Sequence, residues 1–245
     1  MANFVLVHGA WHGGWCWRRV VQALGAQGHR AHAVTLTGVG ERAHLMSSAI
    51  TLETHISDVL QAIEAEELDD VVLAVHSYAG MIGTAIADRQ PHRLKHLVYV
   101  DAVVPRPGES WGGTHASAVR EARLAAAAAS PDYSFPAPDP SVFGLAGEDL
   151  EWVRRRQTPH PGHPYLEALD FDPKRVASVA RTFVDCVRPP LGTIDAIRPR
   201  VRDPRYWDGA WQGGGGARLV ELQTGHDPMV SAPADLTRIL LEAAA

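Results

Sequence analysis

Val75-His76-Ser77-Tyr78-Ala79, followed at once by Gly80, sets a hydroxyl between two bulky side chains at the end of the apolar run Val71–Val75. A serine hydroxyl attacks a carbonyl only when a base takes its proton and the chain presents it at an exposed, strained position. A sharp strand-to-helix turn does this, provided small residues two before and two after the serine let strand and helix approach. Ala79 meets the second requirement, Val75 departs from the first, and Gly80 and Gly83 open a helical segment after it. Ser77 is the candidate nucleophile, and acyl transfer is the chemistry it would perform.

Acyl transfer passes through a tetrahedral oxyanion that needs preorganised N–H donors. These come from the residue after the nucleophile and from a loop after an earlier strand. The first apolar run leads directly into His8-Gly9-Ala10-Trp11-His12-Gly13-Gly14-Trp15, whose glycines let the backbone fold back close to a substrate. The backbone N–H groups of Ala10 and Tyr78 are assigned as donors. A base is found in Thr224-Gly225-His226-Asp227-Pro228-Met229, just past the last strand-like run. Chemistry in open α/β sheets concentrates at the carboxyl ends of the strands. Of 13 histidines, His226 is the one on a terminal strand loop beyond the serine. His8 and His12 lack a third ligand at a convincing spacing, and His160 and His163 sit among prolines. All four read as structural, and no metal is expected.

The elements that must hold these groups alternate. Strand-like runs at Phe4–Val7, His32–Leu36, Val71–Val75, His96–Val100, Arg181–Asp185 and Arg218–Gln223 are separated by helical patterns, the signature of a parallel sheet flanked by helices. Leu52, Ile56, Val59, Leu60 and Ile63 form one apolar helical stripe. Met81, Ile82, Ala85 and Ile86 form a second, ended before Pro91, and Leu236, Ile239, Leu240 and Ala243 a third. From about 106 to 175 no clear strand is visible, prolines cluster, and Trp, Leu and Phe recur. A stretch that long inside a compact domain builds a lid. The expected division is a core of 1–105 and 176–245 with a cap at 106–175, inserted after the strand ending at Asp101. Gly213–Gly216 lacks the Lys-Ser/Thr of a phosphate loop and reads as a flexible connection.

Composition agrees with one enzyme-sized domain. The 245 residues are 46% hydrophobic and 21% charged, with a net charge of −5, which gives no footprint for nucleic acid or an anionic membrane. No apolar run approaches a membrane span, and the N-terminus lacks the pattern of a signal peptide, so a cytoplasmic location is expected. Cys16 and Cys186 make no disulfide framework. A homodimer is allowed and not required.

FVLVHGAWHGGWCW, AVHSYAGM and TGHDPMVSAPADL resemble an α/β-hydrolase of the methylesterase and hydroxynitrile-lyase type, from Asn3 to Gly113 and from about Arg175 onward. The resemblance implies an α/β-hydrolase fold with a mainly parallel six-stranded sheet. It implies Ser77 as nucleophile, His226 as base, Ala10 and Tyr78 as oxyanion hole, and no cofactor. Such enzymes carry the acid of the triad in a Cys-x-x-Asp arrangement, where this chain reads Cys186-Val187-Arg188-Pro189. Another carboxylate must orient the imidazole. Asp101, at the end of the strand after the serine, is the first choice; Asp185 and Asp195 are the alternatives. The family's lyases place a lysine near the base, whereas Asp227 follows His226 here.

The expectation is a serine hydrolase that cleaves a small-molecule carboxylic ester through an acyl-enzyme. A thioester- or lactone-processing enzyme, a hydroxynitrile lyase and a non-catalytic binder are the other readings. Gly9, Trp11, Trp111 and Trp152, with Phe143, are candidate substrate contacts and suggest an apolar or aromatic acyl pocket; ordinary core packing competes for each. Arg154-Arg155-Arg156 could meet a carboxylate, although such a run is usually a solvated helix face.

Overall fold

The computed structural model describes residues 1–203 and 217–245; the Gly213–Gly216 connection lies outside them. Six strands, β1 (Asn3–Val7), β2 (Arg30–Val34), β3 (Val71–His76), β4 (Leu94–Val100), β5 (Ala180–Cys186) and β6 (Ala217–Leu222), form one sheet. Its order is β6-β5-β4-β3-β1-β2, and every neighbouring pair is parallel. All six residues of the central strand β3 are buried, as expected for a strand covered on both faces.

Helices α1 (Arg18–Ala26), α2 (Leu52–Ala65) and α3 (Gly80–Arg89) make the crossovers, and α6 (Pro233–Ala244) packs on α1. α2 begins in a reciprocal capping box: Thr51 Oγ1 accepts from the Thr54 N–H, and Thr54 Oγ1 accepts from the Thr51 N–H. Its stripe of Leu52, Ile56, Val59 and Ile63 is buried. α3 stops before Pro91, and every residue from Gly80 to Ala87 is buried.

The edge strand β2 ends two residues earlier than its sequence pattern suggests. β1 supplies ladder partners only as far as Val7, opposite Val34. Past that point the backbone groups find side chains instead: Thr35 Oγ1 accepts from the Gly14 N–H at 2.7 Å, and the Leu36 N–H donates to His8 Nε2 at 3.1 Å.

Segment 106–175 contains α4 (Ser117–Ala128), α5 (Gly147–Arg154) and short turns. It also contains two ladders that the sequence pattern does not show, Glu109–Ser110 with Ala168–Leu169 and Ser134–Phe135 with His160–Pro161. Two-residue strands are too short to produce a period. The segment is tied to the core at several points. The Thr158 N–H donates to Trp11 O at 3.0 Å, the His226 N–H to Phe143 O at 2.9 Å, and the Leu52 N–H to Glu167 Oε2 at 2.6 Å. Among the described residues no helix is long and apolar enough to cross a membrane.

Candidate active site

Ser77 follows β3 directly, with φ at +54°, a left-handed conformation that costs a non-glycine residue about 1 kcal/mol or more. Neighbouring contacts over-determine this turn. A Cβ on Gly80 would lie 1.8 Å from Val103 O, so only glycine fits beneath the chain leaving β4. The Val103 N–H donates to Ser77 O at 2.9 Å, closing the same contact from the other side. Val75, the bulky departure from the small-residue pattern, finds its room at Gly83, where a Cβ would lie 2.9 Å from both Val75 methyl groups.

Ser77 Oγ donates to His226 Nε2 at 2.9 Å, and His226 Nδ1–H donates to Asp101 Oδ2 at 2.7 Å. The three residues are 8%, 2% and 0% exposed. Asp101 directly follows β4 with φ at +42°, its N–H held by Val184 O at 2.8 Å. Both ends of the link between acid and serine are therefore pinned to neighbouring backbone.

The three carboxylates that the sequence left in competition meet at one residue, Arg198, which sequence reasoning did not single out. Its guanidinium donates to Asp101 Oδ1 at 3.2 Å, Asp185 Oδ1 at 2.9 Å and Asp195 Oδ1 at 2.7 Å. Only Asp101 also reaches the imidazole. Asp185 spends its second oxygen on Arg202, and the Asp195 side chain is 68% exposed. Pro189, where the resemblance expects an acid, is exposed.

The histidines of the first loop prove to be clamps. A Cβ on Gly9 would lie 2.7 Å from Ser77 Cβ and 2.8 Å from His76 Nδ1, so the loop crosses the serine turn at a distance only glycine permits. His8 accepts from the Leu36 N–H through Nε2, which leaves Nδ1–H to donate to Gly9 O at 2.7 Å. That carbonyl shares a peptide plane with the Ala10 N–H, so His8 sets the direction of that N–H. Burial pushes the His8 value down to about 3, which keeps this tautomer neutral. His12 donates from Nδ1 to Ala10 O at 2.8 Å and from Nε2 to Asp227 Oδ2 at 3.1 Å. Burial opposes charge on His12, yet the Asp227 charge and hydrogen bond outweigh it and hold His12 above its ordinary value. Burial likewise opposes charge on Asp227, and His12, followed by His76 and His226, brings it down to about 2. Asp227, overlooked in the sequence except as a negative charge, thus locks the loop after β6 to the loop after β1.

One His/Asp group among the described residues could be compared with a metal centre: His76, His226 and Asp227, whose candidate ligand atoms lie within 4.8 Å of one another. Its donors are partly committed, with His76 Nδ1 and Asp227 Oδ1 left without hydrogen-bond partners. His76 Nε2–H donates to His226 O at 2.8 Å, and both His226 nitrogens serve Asp101 and Ser77. His8 and His12, by contrast, engage both ring nitrogens in hydrogen bonds.

The candidate substrate contacts divide. Trp11 and Trp111 lie edge to face at 6.3 Å, and Phe143 stacks on Trp11 at 6.2 Å and approaches His226 at 5.6 Å. Gly9 touches the serine turn as described. Trp152 is not brought to this group; it packs on Trp15 at 5.1 Å and lies under Arg19 and Arg156. Arg154 pairs on the surface with Asp139 and Glu151.

A strand-borne serine on a strained turn, a histidine beyond the last strand and a parallel sheet flanked by helices define an α/β-hydrolase. The alpha/beta hydrolase family model matches residues 4–239, and the chain belongs to that family. A carbendazim-hydrolyzing esterase from Nocardioides sp. is 40% identical over 258 residues, covering 98% of each chain. Methylesterase 7 of Arabidopsis thaliana is 27% identical over 262 residues, covering 99% of this chain and 96% of its own. Among solved structures, an extracellular α/β-hydrolase from a Paenibacillus species shares the fold with a TM-score of 0.82 at 21% identity, over 99% of both chains.

Proposed function

We propose that the protein is a carboxylic ester hydrolase that works through an acyl-enzyme on Ser77. The observation that carries this reading is the buried hydrogen-bond chain from Ser77 Oγ through His226 to Asp101, at 2.9 and 2.7 Å. The similarity to a carbendazim-hydrolyzing esterase and to a methylesterase supports an ester-type bond as the target.

In the proposed cycle Ser77 Oγ attacks the ester carbonyl while His226 Nε2 takes its proton. Asp101 holds the tautomer and stabilises the imidazolium that forms. The oxyanion rests on the N–H groups of Ala10 and Tyr78. Tyr78 is the second residue of a 3-10 turn that starts at Ser77, so its N–H has no acceptor within that turn. The Ala10 N–H lies on the peptide that His8 orients. His226 then protonates the departing alkoxide, and a water activated by the same nitrogen releases the acid. Segment 106–175 acts as the cap over this centre. Every group comes from one chain, so the cycle runs in a monomer as well as in a homodimer.

The lyase reading is less well supported: Asp227 stands next to the base, its charge taken up by His12, and offers a departing cyanide no cation. The expected result with a panel of aryl and alkyl methyl esters plus mandelonitrile is acid release from the esters and no aldehyde from the nitrile. Ser77→Ala should lower ester turnover on the order of 10⁶-fold. Aldehyde release without ester cleavage would overturn the proposal.

A further inference from the structure

Two polar side chains in segment 106–175, one fully buried and one half-buried, lack the partners their chemistry asks for. His160 is 0% exposed, and neither of its ring nitrogens has a hydrogen-bond partner. A buried polar group left in this state costs about 1–3 kcal/mol. Arg123, on α4, carries its guanidinium inward, 5.1 Å from the centroid of Trp11, 5.2 Å from that of Trp111 and 5.3 Å from that of Tyr165. Its polar neighbours are His115 Nδ1, at 3.3 Å, and the Tyr165 hydroxyl, both neutral. Among the described residues no carboxylate lies within ion-pair distance of it. Aromatic faces compensate part of the lost hydration, but a half-buried cation with no counter-charge still favours an anion.

Both groups face the same cage, and that cage belongs to the reaction centre. Trp111 is shared: Arg123 lies over its ring, and His160 meets it edge to face at 5.5 Å. The cage walls include Tyr78, 4.9 Å from His160, and Trp11, 6.4 Å from His160. Tyr78 is one proposed oxyanion donor, and Trp11 immediately follows the other. Phe143, stacked on Trp11, lies 5.6 Å from His226, so the cage stands beside the reaction centre.

Resting on the ester-hydrolase reading, we propose that Arg123 and His160 form the acyl subsite and select aromatic acyl groups that carry a ring-bound carboxylate. The substrates of this class are half-esters of aromatic dicarboxylic acids. The aryl ring would stack within the cage, its free carboxylate would accept hydrogen bonds from the Arg123 guanidinium, and His160, kept neutral by burial, would complete the set with its single N–H. The ester carbonyl would remain at Ser77.

The test has two arms. In the first, kcat/KM is measured for monomethyl isophthalate and monomethyl terephthalate against methyl 3-methylbenzoate, which has a methyl group where the free carboxylate would be. A charge-assisted pair predicts a preference of about 10–100-fold for a half-ester. Arg123→Met should bring that ratio close to one, and Arg123→Lys should retain part of it, since charge remains but the bidentate fork does not. In the second arm, isophthalate and 3-methylbenzoate are titrated calorimetrically into Ser77→Ala, with and without Arg123→Met. Tighter binding of isophthalate, lost with Arg123, is expected. Equal kcat/KM for half-ester and methyl analogue, or a preference untouched by Arg123→Met, overturns the subsite. Arg123-dependent binding of isophthalate with no ester hydrolysed would instead uphold the subsite and overturn the hydrolase reading.

Discussion

Asp101→Asn should lower kcat for ester hydrolysis about 10⁴-fold, the scale seen when a triad acid becomes a neutral amide. The substitution keeps the shape and removes the charge from the atom that accepts His226 Nδ1–H at 2.7 Å. The imidazole then loses both the restraint on its tautomer and the counter-charge for its protonated form. Asp185→Asn separates this effect from general damage to the same ion cluster. Asp185 is fully buried and pairs with Arg198 and Arg202, so its loss should cost about 2 kcal/mol of stability. It does not touch His226, and kcat in the folded fraction should stay within about threefold of the parent, far from the loss expected for a triad acid. Asp195, largely exposed, should matter little to either, as exposed ion pairs contribute about 0–1 kcal/mol. Steady-state kinetics with thermal melts of the three variants checks the set. Hydrolysis that survives Asp101→Asn and disappears with Asp185→Asn would show that the acid is misassigned.

Gly80→Ala is expected to have the largest effect on folding. The added methyl would sit 1.8 Å from Val103 O, inside any allowed contact, and its obstacle is backbone. Either α3 or the chain leaving β4 must shift. Every residue from Gly80 to Ala87 is buried, so α3 has nowhere to retreat. The chain after β4 carries Asp101 two residues before Val103, whose N–H holds Ser77 O at 2.9 Å. Overpacking of this severity costs on the order of 3 kcal/mol or more, a fall in Tm of about 6–12 °C for a domain this size. Activity in the surviving folded fraction should drop as well, because the displaced segment connects acid and nucleophile. A melting temperature within about 2 °C of the parent, with full activity, would contradict this view of the turn.

These two substitutions also mark where the sequence was readable. The serine turn was legible because its parts are contiguous: an apolar strand, a hydroxyl and two glycines. His226 was legible by position, as a histidine past the last strand. Asp101 could be ranked first from topology, since β4 is the strand next to β3, but spacing alone could not exclude Asp185 or Asp195. What separates them is Arg198, in a stretch with no periodicity, which gathers all three carboxylates and leaves one facing the imidazole. Val75 appeared as a fault in the pattern because its compensation, Gly83, lies eight residues on and matters only once α3 folds back over β3. Residues 106–175 stood out as a break in the alternation of strands and helices, yet their order is held by two-residue ladders and single hydrogen bonds such as those joining Thr158 to Trp11 and Phe143 to His226, none of which leaves a periodic trace. The same holds for His12 and Asp227, 215 residues apart, which the sequence could present only as a structural histidine and an unrelated negative charge.

The central claim is that Ser77 is a nucleophile activated by His226, and the most direct measurement is the site of covalent labelling by a serine-directed organophosphonate. The expected result is a single adduct on the peptide carrying Ser77, absent in Ser77→Ala and formed far more slowly in His226→Ala. A folded protein that takes no label, or takes it on another residue, would contradict the account.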